Sequence, residues 1–300
     1  GIKMSKIHST FILLLGIFWG IIVATSSSAQ TCSAATDATT MTNGAPGNWN
    51  FCDGATPDSL RVSFYKLALC TSKPTYTNDD SCVYILNEST PKTVDIEIGA
   101  ELNLVDGQIS IPENTYRYAL MMIGNKISIK TDIEFSSSQT GGKEGQGLYC
   151  WTNGEDITWG YSAKSDMPVS CGTTPDPAFS EENFLAFGDD NGGLAAQVIG
   201  QETPTTTFDV YLLHDASTLA LVASSGGKPT VSALPANFIW GVQEFKSPPK
   251  ISPTTTKIEL GFKLTEGMQI GFNAQNPGCV GSPCVEGVNL NAFAFSVNAE

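Results

Sequence analysis

Apolar and polar residues alternate in short runs along most of this chain, and glycine, proline, asparagine and aspartate interrupt them every few positions. Residues 93–98 put Val94, Ile96 and Ile98 on one face and Asp95 and Glu97 on the other. That two-residue period predicts a half-buried strand. Residues 102–105 continue the pattern, and 82–86 is rich in β-branched and aromatic residues. Residues 61–69 begin with Val62 and Phe64 on one face, after which the alternation slips to Leu67 and Leu69. Strands at 116–123, 126–129 and 132–135 follow at hairpin spacings. Further strands are predicted at 147–151, 156–162, 207–214, 218–222, 237–244, 257–264, 268–273 and 288–297. In the last, Phe293, Phe295 and Val297 share one face and Leu290, Ala292 and Ala294 the other, the pattern of a strand covered on both sides.

This succession predicts an all-β chain of two antiparallel β-sandwich domains with short loops. Residues 136–147, SSSQTGGKEGQG, have the composition of a flexible Gly/Ser-rich linker. A boundary there gives a polar lead at 30–57, a first sandwich at 58–135 and a second at 148–300. The alternative is a long hairpin tip inside one larger sandwich. After Ser180, Glu181 and Glu182 suit the first turn of a short helix that Gly188 would end. The same residues also fit a strand running into a turn at Asp189, Asp190, Asn191, Gly192 and Gly193.

The first thirty residues change the picture of where the chain acts. Lys3 and Lys6 precede an uncharged run at 11–24, and small residues up to Ala29 follow it. The run is short for a bilayer span and matches a secretory signal peptide over residues 1–29. The alternative is an uncleaved anchor. Cleavage would remove His8 and both lysines, leaving His214 as the only histidine. The full chain already carries 16 basic and 30 acidic residues, a formal charge of -14. Such a balance disfavours nucleic acid and anionic membrane surfaces as partners. A secreted, periplasmic or cell-surface location follows, with no membrane association after cleavage.

All eight cysteines lie beyond the signal segment. An even number in an exported chain reads as disulfides, and local pairing predicts Cys32 with Cys52, Cys70 with Cys82, Cys150 with Cys171 and Cys279 with Cys284. No Cys-x-x-Cys spacing supports a zinc site.

Residues 109–123, ISIPENTYRYALMMI, run from an apolar strand through Pro112 to Tyr116 and a second strand. This resembles the Pro-x-Gly-x-Tyr corner of prealbumin-like (transthyretin-like) secreted sandwich domains, with Asn114 in place of the glycine. The resemblance covers residues 58–135. It implies a sandwich fold and carries no catalytic residue with it.

Candidate chemistry is sparse. His214 beside Asp215 lacks a serine elbow, and Ser225-Gly226-Gly227-Lys228 is a turn followed by Pro229. Asp95 with Glu97, and Asp132 with Glu134, lie two apart on strands, as on any solvated sheet face. No cofactor is expected unless calcium binds. Asp189, Asp190 and Asn191 offer hard oxygen donors on one turn, as do Asn78, Asp79 and Asp80, with ordinary Asx turns as the alternative. The strongest cluster is the Cys150–Cys171 loop, where Tyr149, Trp151, Trp159 and Tyr161 stand near Glu155 and Asp156. Aromatic faces beside carboxylates suit sugar rings and their hydroxyls, whereas core aromatics shielding a disulfide would give the same letters. The leading expectation is a non-enzymatic protein with a structural, adhesive or ligand-binding role, its partners being glycans or other copies of itself. A carbohydrate-binding module or carbohydrate-active enzyme is the rival.

Overall fold

The computed structural model describes residues 30–98, 110–158, 161–188, 193–202, 206–225, 228–255, 258–275, 278–279, 282–290 and 294–299. The chain is all-β. Helical structure among the described residues is limited to the five-residue helix Ala38–Thr42 and two 3-10 turns. The signal peptide expected at 1–29, the strand expected at 102–105, Trp159, Asp189, Asp190 and Asn191 lie outside the described residues.

The largest sheet is organised around strand Ser59–Cys70. Its first half pairs with Lys126–Lys130, which in turn pairs with Ser180–Asn183. Its second half pairs with Tyr118–Gly124, and the sheet continues through Phe238–Phe245 and Thr206–Asp215 to Gln197–Glu202. Strand Cys82–Glu97 lies along its other side, joining the strands expected at 82–86 and 93–98 into one. The slip in alternation after Phe64 is a bulge: Phe64 pairs with Ile123 and Lys66 with Met122, which leaves Tyr65 as an extra residue. Against strand Cys82–Glu97, Phe64 pairs with Lys92 and Lys66 with Asn87, so Tyr65 opposes four residues, 88–91. Leu60, Val62 and Phe64 point inward before the bulge and Leu67 and Leu69 after it, so the extra residue preserves the buried face.

Two smaller sheets cover that face. One pairs Trp49–Ala55 with Met268–Asn273 and then Cys284–Leu290; the other pairs Asp132–Thr140, Gln146–Thr152 and Val169–Gly172. Phe135 and Phe272 meet edge to face with centroids 6.4 Å apart and join these two sheets in the same core. The lead at 30–57 is therefore part of the fold rather than a polar tail. Met41, Phe51 and Cys52 are buried, and Cys32 is bonded to Cys52. Few apolar letters mark that stretch because its sheet partner is supplied from the far end of the sequence.

Residues 136–147 also differ from the expected linker. They carry the end of strand Asp132–Thr140, a tight tip and the start of Gln146–Thr152. The glycines serve close packing: a Cβ on Gly145 or Gly147 would lie 2.0 Å from the carbonyl oxygen of Cys171 or Gly172. Pairing crosses the expected boundary, since Tyr118–Gly124 on one side bonds to Phe238–Phe245 on the other.

Ser180–Asn183 is a strand, settling the choice left open after Ser180. Of the strand expected at 156–162, the described residues carry a bridge between Ile157 and Glu182, and a 3-10 turn at Lys164–Asp166 comes after. The described parts of the strand expected at 288–297 belong to Cys284–Leu290 and to Ala294–Ala299, and the latter pairs with Ile258–Lys263. All four disulfides join consecutive cysteines, as expected: Cys32–Cys52, Cys70–Cys82, Cys150–Cys171 and Cys279–Cys284. Tyr116 is buried, and its hydroxyl donates to the Pro112 carbonyl at 2.8 Å, pinning the corner between two strands.

Candidate functional site

Strand Gln146–Thr152 is the middle strand of its sheet, so its side chains alternate between the core and the outer surface. Cys150 and Thr152 point inward, where Cys150 bonds to Cys171 on the neighbouring strand. Tyr149 and Trp151 therefore stand together on the outer face, each half-buried. Tyr149 lies opposite Glu134 and donates from its hydroxyl to Glu134 Oε1 at 3.1 Å. That bond holds the phenol protonated to a higher pH than usual. Trp151 lies opposite Asp132, and its ring extends over Gly172; a Cβ at Gly172 would be 3.0 Å from Trp151 Cη2. Glycine there makes room for the indole.

Carboxylates flank this aromatic pair. Asp132 and Glu134 are exposed on the same face, and the Asp132 amide donates to Asp58 Oδ2 at 2.8 Å. Burial and the nearby Asp132 carboxylate raise the Asp58 carboxyl above its ordinary range, although Asp132 N–H and Lys130 act against the shift. Asp132 and Glu134 thus take the positions opposite the rings that Glu155 and Asp156 were expected to hold, and Asp58 is tied to the backbone of Asp132.

The other expected members go elsewhere. Glu155 is ion-paired with Lys143 and ties the tip at 141–145 to the following loop. Asp156 is exposed. Asn153 is structural: its amide donates to Met167 O at 3.1 Å and Ser170 Oγ at 3.0 Å, while its Oδ1 accepts the Glu155 amide. Tyr161 packs against Met167 and the Cys279–Cys284 pair, with its hydroxyl directed at Gly287. Burial, with the charge of Glu286 nearby, strongly raises its pKa. The structure brings together Tyr149 and Trp151 from the expected cluster and separates Tyr161 and Glu155 from them.

The remaining sequence candidates are engaged in local structure. His214 Nδ1 donates to Pro235 O at 2.9 Å, and Asp215 caps the amide of Ser217. Asp79 Oδ2 accepts from Lys66 Nζ at 3.2 Å and from the Tyr84 hydroxyl, which engages that oxygen in local structure. Among the described residues no group of three or more His, Cys, Asp or Glu side chains could hold a metal ion. A second concavity, a polar cleft of about 230 Å3, is lined by Asp37, Thr39, Ser137, Gln139, Thr140 and Ser282, with little apolar surface. Among the described residues no helix is long and apolar enough to cross a membrane.

Sequence reasoning missed Asp58 and Gly172. Asp58 is remote from Trp151 in sequence, and a glycine that accommodates an indole carries no pattern of its own. No family model, curated protein or solved structure matches this chain.

Proposed function

We propose that this is an exported, non-enzymatic β-sandwich protein with an adhesive or ligand-binding role, acting in the periplasm, at the cell surface or in the medium, and that its outer Tyr149–Trp151 face binds glycan chains. The observation that carries the binding reading is the outward pairing of Tyr149 and Trp151 on one strand, with Asp132 and Glu134 opposite them on the next. Aromatic faces accept the apolar side of a sugar ring, and carboxylates accept its hydroxyls. The Cys150–Cys171 bridge and the middle position of strand Gln146–Thr152 hold the two rings on a rigid element, which limits the ordering cost of binding. Four disulfides support an oxidising compartment, and the Tyr116–Pro112 corner supports the resemblance to prealbumin-like sandwiches.

Glycan-array and polysaccharide-retention measurements test the binding reading. The expected result is retention on a subset of neutral or weakly basic glycans that W151A and Y149A each reduce at least tenfold, with melting temperature preserved. Equal retention by wild type and W151A, or no retention at all, would sink it. Thiol titration after denaturation without reductant tests the compartment: protein recovered from its natural source is expected to show no reactive cysteine.

A further inference from the structure

We infer that Asn87 is an acceptor site for an asparagine-linked glycan. Asn87-Glu88-Ser89 is the one Asn-x-Ser/Thr triplet in the 300 residues. The fold presents it unusually openly. Asn87 ends the paired part of strand Cys82–Glu97, and the next four residues leave the ladder as the bulge opposite Tyr65. Asn87, Glu88, Ser89 and Thr90 are all exposed. Among the described residues the Asn87 amide and the Ser89 hydroxyl have no hydrogen-bond partner, so modification breaks no contact there. Among the described strands, Cys82–Glu97 pairs only with Ser59–Cys70, so it stands at the edge of the sheet that the described residues form. A polar branched group at Asn87 stands over that edge and opposes strand addition by a second chain, the protection that exposed edges otherwise obtain from charge, proline or bulges.

The transfer is a substitution at an anomeric carbon. The donor is an oligosaccharide linked through C1 to a lipid diphosphate. The Asn87 side-chain nitrogen forms the new bond to C1, the bond from C1 to the phosphate oxygen breaks, and the lipid diphosphate leaves with the electron pair. One amide proton is lost to a base of the transferase. The Ser89 hydroxyl, two residues on and unbonded, is available for the transferase to read.

This inference rests on the export reading, because the donor and transferase act on chains entering the secretory route. The full chain is expressed in eukaryotic secretory cells twice, once with residues 1–29 and once with a strong unrelated leader in their place. Cell-associated and secreted chains are both measured by intact mass before and after an amidase that cleaves the glycan–asparagine bond. The expected result is extra mass that the amidase removes, with Asn87 converted to aspartate; N87Q and S89A abolish it and S89T retains it. Glycan found only with the unrelated leader leaves the Asn87 assignment standing and counts against export by residues 1–29. A chain that enters the secretory route with Asn87 unmodified overturns the assignment and leaves export intact.

Discussion

Lys73 Nζ lies 2.6 Å from Asp209 Oδ2, and the Asp209 side chain is only 4 % exposed. Asp209 sits on the second face of the large sheet, on strand Thr206–Asp215, and its other oxygen accepts the Gly200 amide at 2.9 Å. Lys73 belongs to the loop at 71–81 that the Cys70–Cys82 bridge closes. Tyr76 from that loop packs against Tyr211 and Trp240, with centroids 5.3 and 6.4 Å away. The loop therefore covers apolar surface that would otherwise face water, and the ion pair fixes its position.

That clamp predicts unequal losses. Lys73 is half exposed, so solvent screens the pair, and K73A is expected to cost about 1 kcal/mol. Removing the stacked ring in Y76A should cost more, about 2 kcal/mol or above. Hydrogen exchange within 71–81 should accelerate in both variants while exchange in strand Tyr118–Gly124 stays slow. Unchanged exchange in the loop of K73A would show that the pair does not hold it.

A flexible linker would tolerate alanine at Gly147, whereas the observed packing does not. The added Cβ would lie 2.0 Å from Gly172 O and 2.1 Å from its carbonyl carbon, both backbone atoms that cannot rotate away. G147A is expected to lose more than about 3 kcal/mol or to fail to fold. Gly44 is the control. It has φ +73° with nothing within 4 Å of the added atom, so G44A should cost about 1 kcal/mol from backbone strain alone. Equal urea midpoints for the two variants would contradict this account.

Glu182 links strand Ser180–Asn183 to the Leu290 amide, which donates to its Oε2 at 2.7 Å. Enclosure pushes its carboxyl up to about 8, opposed by that hydrogen bond. An acid whose folded pKa lies above its unfolded value of 4.5 is bound to more protons in the folded state between those limits. Its contribution to stability is therefore complete below about pH 4.5 and declines as pH rises toward about 8. Each pH unit in that window removes at most about 1.4 kcal/mol. Melting temperatures of wild type and E182Q should diverge across this range, with wild type losing more on the alkaline side. Parallel curves would refute the assignment.

Y116F removes the hydroxyl that meets Pro112 O and so removes the bond that ties the buried Tyr116 ring to the corner. The expected cost is about 1 kcal/mol, seen as a lower urea midpoint with unchanged slope. No change would reduce the corner to packing alone.

Much of the strand content was legible because alternation is local. The slip after Phe64 was visible in the sequence, but its cause, a bulge at Tyr65, came only with the partner strands. Nearest-neighbour cysteine pairing was also legible, since short loops close at small entropic cost. The candidate site was half legible: Tyr149 and Trp151 share a face by strand parity, but Glu155 was drawn off by Lys143 and Tyr161 by the Cys279–Cys284 pair.

By itself the sequence determined the all-β class, most strand positions, the disulfide partners and the placing of Tyr149 and Trp151 on one face of their strand, but not whether that face looks outward or into the core. These depend on periodicity and spacing along the chain. Tertiary structure decided that 30–57 belongs to the core, that the glycines of 136–147 serve close backbone packing, and that Asp132 lies opposite Trp151 with Asp58 bound to its amide. Each is a contact between segments far apart in sequence. Pairing across a sheet leaves no periodic trace in either partner taken alone, because the free energy of burial is shared between surfaces that meet only in the folded chain.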